Sequence, residues 1–186
     1  MSRFSVSCLP LDGLKLLKRQ RLHDSRGYLE RLFCADELAV AGWSKHVTQI
    51  NHTLTVRCGA VRGMHYQKPP SAEMKLVTCI SGEIWDVAID LRADSATFLK
   101  WHAEILSAEN NRTLLIPEGF AHGFQTLSAD VELLYFHTSS HNPSAEACLN
   151  ALDSRLAIDW PLEITEISQK DAMHPLVDSN FEGVRL

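Results

Sequence analysis

Residues 61–67, Val-Arg-Gly-Met-His-Tyr-Gln, bring three polar side chains that could do chemistry into one short segment. We expect Arg62, His65 and Gln67 to lie on one face of a strand, with Gly63 permitting an unusual backbone angle or a close approach. An imidazole beside a guanidinium adds little to stability, but the pair suits a site for an anionic or carbonyl ligand. A surface strand with its polar side chains outward explains the segment equally well.

Lys75, Tyr135 and Asp171 lie far apart in the sequence, but with His65 they could form a set of groups for proton transfer. Lys75 opens an apolar run, where a buried charge is costly unless it meets an anion. Tyr135 lies inside another apolar segment, and Asp171 lies far along the chain in Ser-Gln-Lys-Asp. Each also has a structural explanation, as a rim lysine, a core tyrosine or an aspartate at a helix start. Together with His65 they supply a base, an orienting carboxylate, an acid and a cation, which suits proton removal beside a ketone.

A second polar cluster lies in residues 116–124, where His122 follows a Pro-x-Gly turn between two phenylalanines. Combined with His65, this segment has the two-part spacing of a cupin jelly roll. Many cupins hold a metal with His-x-His and Glu in the first part and His in the second. Here Gln67 replaces the second histidine and the carboxylate is displaced to Glu73. Two histidines are too few for a tight transition-metal site, so we expect no metal.

The elements that must position these residues are short strands separated by turns, typical of an all-β sandwich or barrel. With the cupin spacing, we expect a jelly-roll β-barrel with minor short helices. A helix is indicated at 35–41, ending at Gly42, and one helical turn at 168–172 with Ser168 as N-cap. Strands are predicted at 13–22, 47–54, 76–80, 84–91, 97–106, 113–117 and 131–138.

Composition narrows the class of protein. The 186 residues and the lack of a linker or repeat predict a single domain over 1–186. A net charge of −5 disfavours a nucleic-acid surface. We find neither a membrane-spanning apolar stretch nor a signal-peptide core, and we expect a cytoplasmic protein. The five cysteines are widely spaced without a Cys-x-x-Cys pair, which argues against a disulfide framework or a structural zinc site.

Along nearly its whole length the chain resembles the nucleotide-sugar 3,5-epimerases of the dTDP-4-dehydrorhamnose 3,5-epimerase type. The resemblance implies a cofactor-independent, metal-free homodimer of cupin fold. It also implies epimerisation of a nucleotide-linked 4-keto-6-deoxyhexose at C3, C5 or both, in deoxysugar biosynthesis such as that of rhamnose. The matching segments are 24–30, 49–51, 61–67, 75–77, 82–92, 116–124, 159–161 and 168–171.

The resemblance also implies roles for individual residues. His65 is the base that removes the proton α to the C4 ketone, and Asp171 orients its imidazole. Tyr135 returns a proton on the opposite face of the sugar, and Lys75 stabilises the enolate oxygen. The positions that resemble substrate-binding residues are Arg26, Glu30, Gln49, Asn51, Arg62, His122, His141 and Lys170.

Two departures from the family pattern leave the reaction open. Many members carry a second aromatic residue six positions after the acid tyrosine, where this chain has His141. The aromatic residue and asparagine of the nucleotide-facing segment are also missing, since Ala151 and Leu152 stand there. An epimerase acting on one carbon only, or on a CDP-linked sugar, is therefore an alternative. A non-catalytic sugar-binding cupin is a further one, although binding alone needs neither a base nor an acid.

Overall fold

The computed structural model of the chain describes residues 2–186, which form two main β-sheets, a separate hairpin and two short helices. Within these residues no helix has the length and hydropathy needed to cross a bilayer. The first sheet contains, in spatial order, β1 (Phe4–Cys8), β2 (Lys15–Arg19), β10 (Arg112–Ile116), β7 (Lys75–Ser81), β12 (Val131–His137) and β5 (Gln49–Thr55).

The second sheet contains, in spatial order, β13 (Glu146–Cys148), β6 (Ala60–Gln67), β11 (Phe120–Thr126), β8 (Glu83–Asp90) and β9 (Trp101–Ser107). The short strand β14 (Glu166–Ile167) pairs with β6 in parallel, whereas the other strand pairs are antiparallel. β3 (Arg21–Asp24) and β4 (Gly27–Glu30) form the hairpin, and the helices are α1 (Ala35–Ala39) and α2 (Gln169–Ala172).

The hydrophobic core lies between the two sheets. Val77 and Leu114 of the first sheet pack in one buried cluster with Ile84 and Phe124 of the second. Because side chains alternate across a strand, each sheet gives one apolar face to this core. The all-β class with minor helices is confirmed, and the two facing antiparallel sheets have the jelly-roll arrangement.

Most predicted elements agree with the structure, and the differences lie at turns. Segment 13–22 is divided between β2 and β3, while β9 begins at Trp101 rather than at residue 97 because turns occupy residues 95–100. The one-turn helix is confirmed, since the Ser168 side chain accepts a hydrogen bond from the backbone N–H of Asp171 at 3.0 Å. Strands β1, β4, β11, β13 and β14 were not predicted from the sequence.

A β-bulge in β6 determines which side chains of residues 61–67 share a face. His65 pairs with His122, but Arg62 pairs with Phe124, so two residues of β6 oppose a single residue of β11. Strict alternation would place Arg62 and His65 on opposite faces. The extra residue reverses that order, and both side chains reach the same cavity.

Glycine is required at the bulge for two reasons. Gly63 has φ +135°, and a Cβ there would lie 2.6 Å from the Cα of Gly123. Gln67, two positions beyond His65 on the same strand, does not reach the cavity. The Gln67 side chain instead accepts a hydrogen bond from the backbone N–H of Asn142 at 2.6 Å and lies outside the cavity that His65 lines.

Candidate active site

A cavity of about 350 Å³ opens between the two sheets and gathers the four predicted catalytic side chains. His65 lies on β6, Tyr135 on β12, Lys75 on β7 and Asp171 in α2. Since β6 and β12 belong to facing sheets, the imidazole and the phenol come from opposite walls. The other lining residues are Asn51, Thr53, Arg62, His122, Gly123, Phe124, His137, Ser168 and Lys170.

A larger cavity, of about 720 Å³, lies elsewhere between residues 10–12, the 92–97 turn and the C-terminus. Its Arg92 is bound to Asp90 at 2.7 Å. None of the described residues that line it is a histidine or a tyrosine, so it lacks the groups that move protons near neutral pH. The smaller cavity is therefore the candidate active site.

The His65–Asp171 pair forms the first functional unit of the site. Nε2 of His65 lies 2.8 Å from Oδ1 of Asp171, which also binds Nε2 of His174 at 3.1 Å. The backbone N–H of Gly63 donates to the other carboxylate oxygen at 3.4 Å. Burial by itself would raise the pKa of Asp171, but the hydrogen bond and charge of His65, with the other donors, lower it to about 2. Asp171 is thus ionised at neutral pH and holds the imidazole in place.

Tyr135 faces this pair from the first sheet. Its ring centroid lies 5.9 Å from that of His122 and 6.1 Å from that of His137. Burial raises the pKa of Tyr135 well above its usual range, and the negative charge of Asp86 adds to the effect. The phenol therefore keeps its proton at neutral pH and can donate it.

Lys75 supplies a buried cation with a built-in counter-ion. Its Nζ lies 3.3 Å from Oε1 of Glu73 and donates to the backbone oxygen of His65 at 3.2 Å. Glu73 also binds Nδ1 of His137 at 2.9 Å. Burial would raise the pKa of Glu73, but the hydrogen bond from His137 and the charge of Lys75 outweigh it and lower that pKa. The ammonium group is thus held in the cavity wall beside a carboxylate.

The site contains a second carboxylate–histidine pair, His122 with Asp86. Nε2 of His122 lies 2.6 Å from Oδ1 of Asp86, and both side chains are buried. Burial raises the pKa of Asp86, against the attraction of His122. Its second oxygen, Oδ2, has no hydrogen-bond partner among residues 2–186. The pair fixes the His122 ring beside Tyr135.

Four supporting residues were not predicted as part of the site: Glu73, Asp86, His137 and His174. Two of them have a signal in the sequence, because Glu73 and Lys75, like Tyr135 and His137, are two positions apart and share a face. Asp86 and His174 reach the site through strand pairing and the turn after α2, which spacing along the chain does not reveal.

Four of the predicted substrate-binding residues lie outside the cavity of this chain. Arg26 is exposed at the tip of the β3–β4 hairpin, and Glu30 pairs with Arg19 at 3.1 Å. The Gln49 side chain accepts a hydrogen bond from the backbone N–H of His141 at 2.9 Å, at the rim. The other four line the cavity: Asn51, Arg62, His122 and Lys170. The roles of all eight stay predictions.

The residues that would form the usual cupin metal set are committed to other partners. Glu73 is paired with Lys75 and His137, and His122 with Asp86. Within residues 2–186, one other group of three side chains, comprising His65, could hold a metal ion. Its other two members are Cys148 and His174.

Comparison with known proteins identifies the family. A sequence profile described as dTDP-4-dehydrorhamnose 3,5-epimerase matches residues 8–179. The chain belongs to this family. It is 47% identical over 131 residues to the dTDP-4-dehydrorhamnose 3,5-epimerase of Salmonella typhimurium, covering 70% of this chain and 71% of the relative. The predicted family, its C3/C5 epimerisation in deoxysugar biosynthesis and its isomerase class are confirmed.

Solved structures of other epimerases agree with this membership. The dTDP-6-deoxy-D-glucose-3,5-epimerase RmlC of Legionella pneumophila superposes with a TM-score of 0.91 at 37% identity, over 98% of each chain. ChmJ, a 3'-monoepimerase of Streptomyces bikiniensis, superposes with a TM-score of 0.84 at 31% identity, over 90% of this chain and 85% of ChmJ. The family thus includes an enzyme described as acting at one position.

Proposed function

We propose that this epimerase inverts both C3 and C5 of a dTDP-linked 4-keto-6-deoxyhexose, with His65 as base and Tyr135 as acid. The observation that carries the proposal is the position of the two groups on facing walls of one cavity, which the buried Lys75 also lines. Inversion requires proton removal on one face of a carbon and proton delivery on the other, and this arrangement supplies both.

Each inversion proceeds through an enolate. His65 takes the proton from the carbon next to the ketone, and the electron pair of the broken C–H bond moves to the C4 oxygen. Lys75 stabilises that oxygen, and one preorganised donor of this kind contributes about 2.7–4 kcal/mol to a transition state. Tyr135 then donates its proton to the carbon from the other face. Solvent removes the proton from His65 and restores that of Tyr135.

Cations at the cavity suit a diphosphate ligand. Arg62 and Lys170 line it, and a guanidinium can bind phosphate oxygens in pairs. The Legionella structure is described as a complex with dTDP-4-keto-L-rhamnose, and the ChmJ structure as one with dTDP-quinovose. We extend the dTDP group to the substrate of this chain on these two grounds.

We also propose a homodimer that completes the site. The edge strand β5 exposes Ile50 and Leu54, 56% and 53% accessible, beside the cavity residues of the same strand. Pairing of two copies would bury this surface and bring the β3–β4 hairpin, with Arg26, to the open side of the neighbouring cavity. Sedimentation analysis should show a dimer that Ile50→Glu dissociates; a wild-type monomer at enzyme concentrations well above those of assays would refute this arrangement.

The experiment for the proposed function follows solvent deuterium into the sugar. In heavy water with dTDP-4-keto-6-deoxyglucose, the wild type should incorporate deuterium at C3 and C5. His65→Ala should incorporate none and should still bind dTDP. Unchanged exchange in His65→Ala would refute the base assignment, and deuterium at one carbon only would make the protein a monoepimerase. A parallel reaction with the CDP-linked sugar tests the nucleotide, and faster turnover of that sugar would contradict a dTDP substrate.

A further inference from the structure

Two donor side chains adjoin His65 outside the sugar cavity. Cys148 on β13 is the direct cross-strand partner of His65 on β6, so the two side chains lie on one face of the sheet. His174 follows α2, and its ring centroid lies 5.7 Å from that of His65. One ligand atom of each residue lies within 4.8 Å of the other two. Three separate elements thus bring two imidazoles and a thiol together.

These donors are the kinds that zinc prefers. Zn²⁺ binds thiolate sulfur and imidazole nitrogen in tetrahedral sites, at about 2.3 Å and about 2.0–2.1 Å respectively. Oδ1 of Asp171 lies at hydrogen-bond distance from Nε2 of both His65 and His174, at 2.8 and 3.1 Å. One nitrogen of each ring is left for a metal. A carboxylate that orients ligand histidines in this way is the usual outer partner of a zinc site.

The group opens onto a cleft that contains two carboxylates. Cys148 and His174 line a cleft of about 590 Å³ beside the sugar cavity, which also includes Glu146 and Asp178. Two lysines, Lys68 and Lys170, also line the cleft, and the ammonium of Lys170 is paired with Glu146 at 3.0 Å. The cleft is open to solvent, which gives an ion a path to the group and a water ligand for the fourth position.

We propose that His65, Cys148 and His174 bind Zn²⁺, and that the bound ion blocks catalysis by occupying His65. On binding, the thiol of Cys148 releases its proton to solvent, and the sulfur and two ring nitrogens donate electron pairs to the metal with no change of oxidation state. The ring nitrogen that coordinates the metal has no free electron pair, so it cannot accept the substrate proton. The metal also prevents the imidazole ring from turning. The blocking step rests on the proposed function, whereas binding does not.

The site is tested first by binding alone, with Co²⁺ as a visible substitute for Zn²⁺. Full-length protein freed of metal by a chelator should bind one Co²⁺ per chain and show thiolate-to-cobalt charge-transfer absorption. Cys148→Ser should lose that absorption and bind at least about tenfold more weakly. Cys58→Ser, which alters an exposed cysteine elsewhere, should behave as wild type. Absent binding, absorption that persists in Cys148→Ser, or absorption that depends on Cys58 would overturn the site.

Two further measurements keep the test decisive. If Cys148→Ser fails to fold, the wild type can be tested by alkylation with iodoacetamide, read by peptide mass. Zn²⁺ should protect Cys148 and leave Cys58 reactive. Equal labelling of the two cysteines would overturn the site. Zn²⁺ should also inhibit the wild type, a chelator should restore it, and Cys148→Ser should keep its basal activity and resist the ion. Binding without inhibition would overturn the blocking step and count against His65 as base, while the metal site would stand.

Discussion

Replacement of Asp171 by asparagine isolates the charge of the carboxylate from its shape. The wild-type carboxylate accepts hydrogen bonds from Nε2 of His65 and of His174 and from the backbone N–H of Gly63. Asparagine keeps the size and one acceptor oxygen, but it is neutral and offers an NH₂ donor. The substitution therefore removes the partner of the imidazolium that His65 becomes when it takes the substrate proton.

The size of the effect follows from the pKa of Asp171. The partners lower it from 3.8 to about 2, and each unit corresponds to about 1.4 kcal/mol, so the ionised carboxylate is stabilised by about 2.5 kcal/mol. Only 7% of the Asp171 side chain is exposed, so solvent screens its interaction with His65 only weakly. By reciprocity, the carboxylate stabilises the protonated imidazole by a share of the same energy. If Asp171→Asn removes most of this stabilisation of the protonated imidazole, kcat should fall by about 10–60-fold.

The assay is the rate of proton exchange and epimerisation followed by NMR across a range of pH. We expect the acid limb of the activity profile to move to lower pH in Asp171→Asn, because the carboxylate no longer favours the charged base. Asp178→Asn, an exposed change in the same C-terminal segment, is the control. An Asp171→Asn enzyme within threefold of wild type, with an unmoved acid limb, would refute the orienting role.

The same substitution has a stability consequence with a defined sign. Because the folded pKa of Asp171 is below its unfolded value, its contribution to stability is present above about pH 4 and lost as pH falls toward 2. Urea unfolding should show wild type more stable than Asp171→Asn by about 2.5 kcal/mol at pH 7 and by about half of that at pH 3. An equal difference at both pH values would contradict the lowered pKa of Asp171.

Other substitutions test the remaining parts of the site. Tyr135→Phe should retain deuterium exchange at some carbon but lose net inversion, as measured by NMR of the product; full epimerisation would mean that another group returns the proton. Gly63→Ala should lower the free energy of unfolding by about 1–3 kcal/mol and reduce activity, since φ +135° and the close neighbouring backbone exclude a Cβ. Asp86→Ala should lower the free energy of unfolding by about 1–3 kcal/mol, because it leaves the buried His122 ring without its hydrogen-bond partner. The exposed change Asp94→Ala should cost less than about 0.5 kcal/mol in the same unfolding assay.

The sequence by itself determined the residue types, the strand class and the family. Alternating apolar residues between turns predicted most strands, because burial of one sheet face requires that period. Ser168 predicted the start of α2, since its side chain can satisfy a free N–H at the first turn. The four catalytic candidates came from polar groups in apolar segments and from the family resemblance, and the structure brings all four to one cavity.

Only the tertiary structure decided which of these groups meet. The bulge at Gly63 places Arg62 beside His65, and a one-residue insertion is invisible to an alternation pattern yet reverses every side chain beyond it. The pairing of β13 with β6 brings Cys148 to His65, because strand register depends on loop lengths and packing and not on local spacing. Residues far apart in sequence, such as Asp86 and His122, become partners only when two strands pair and exclude water around them.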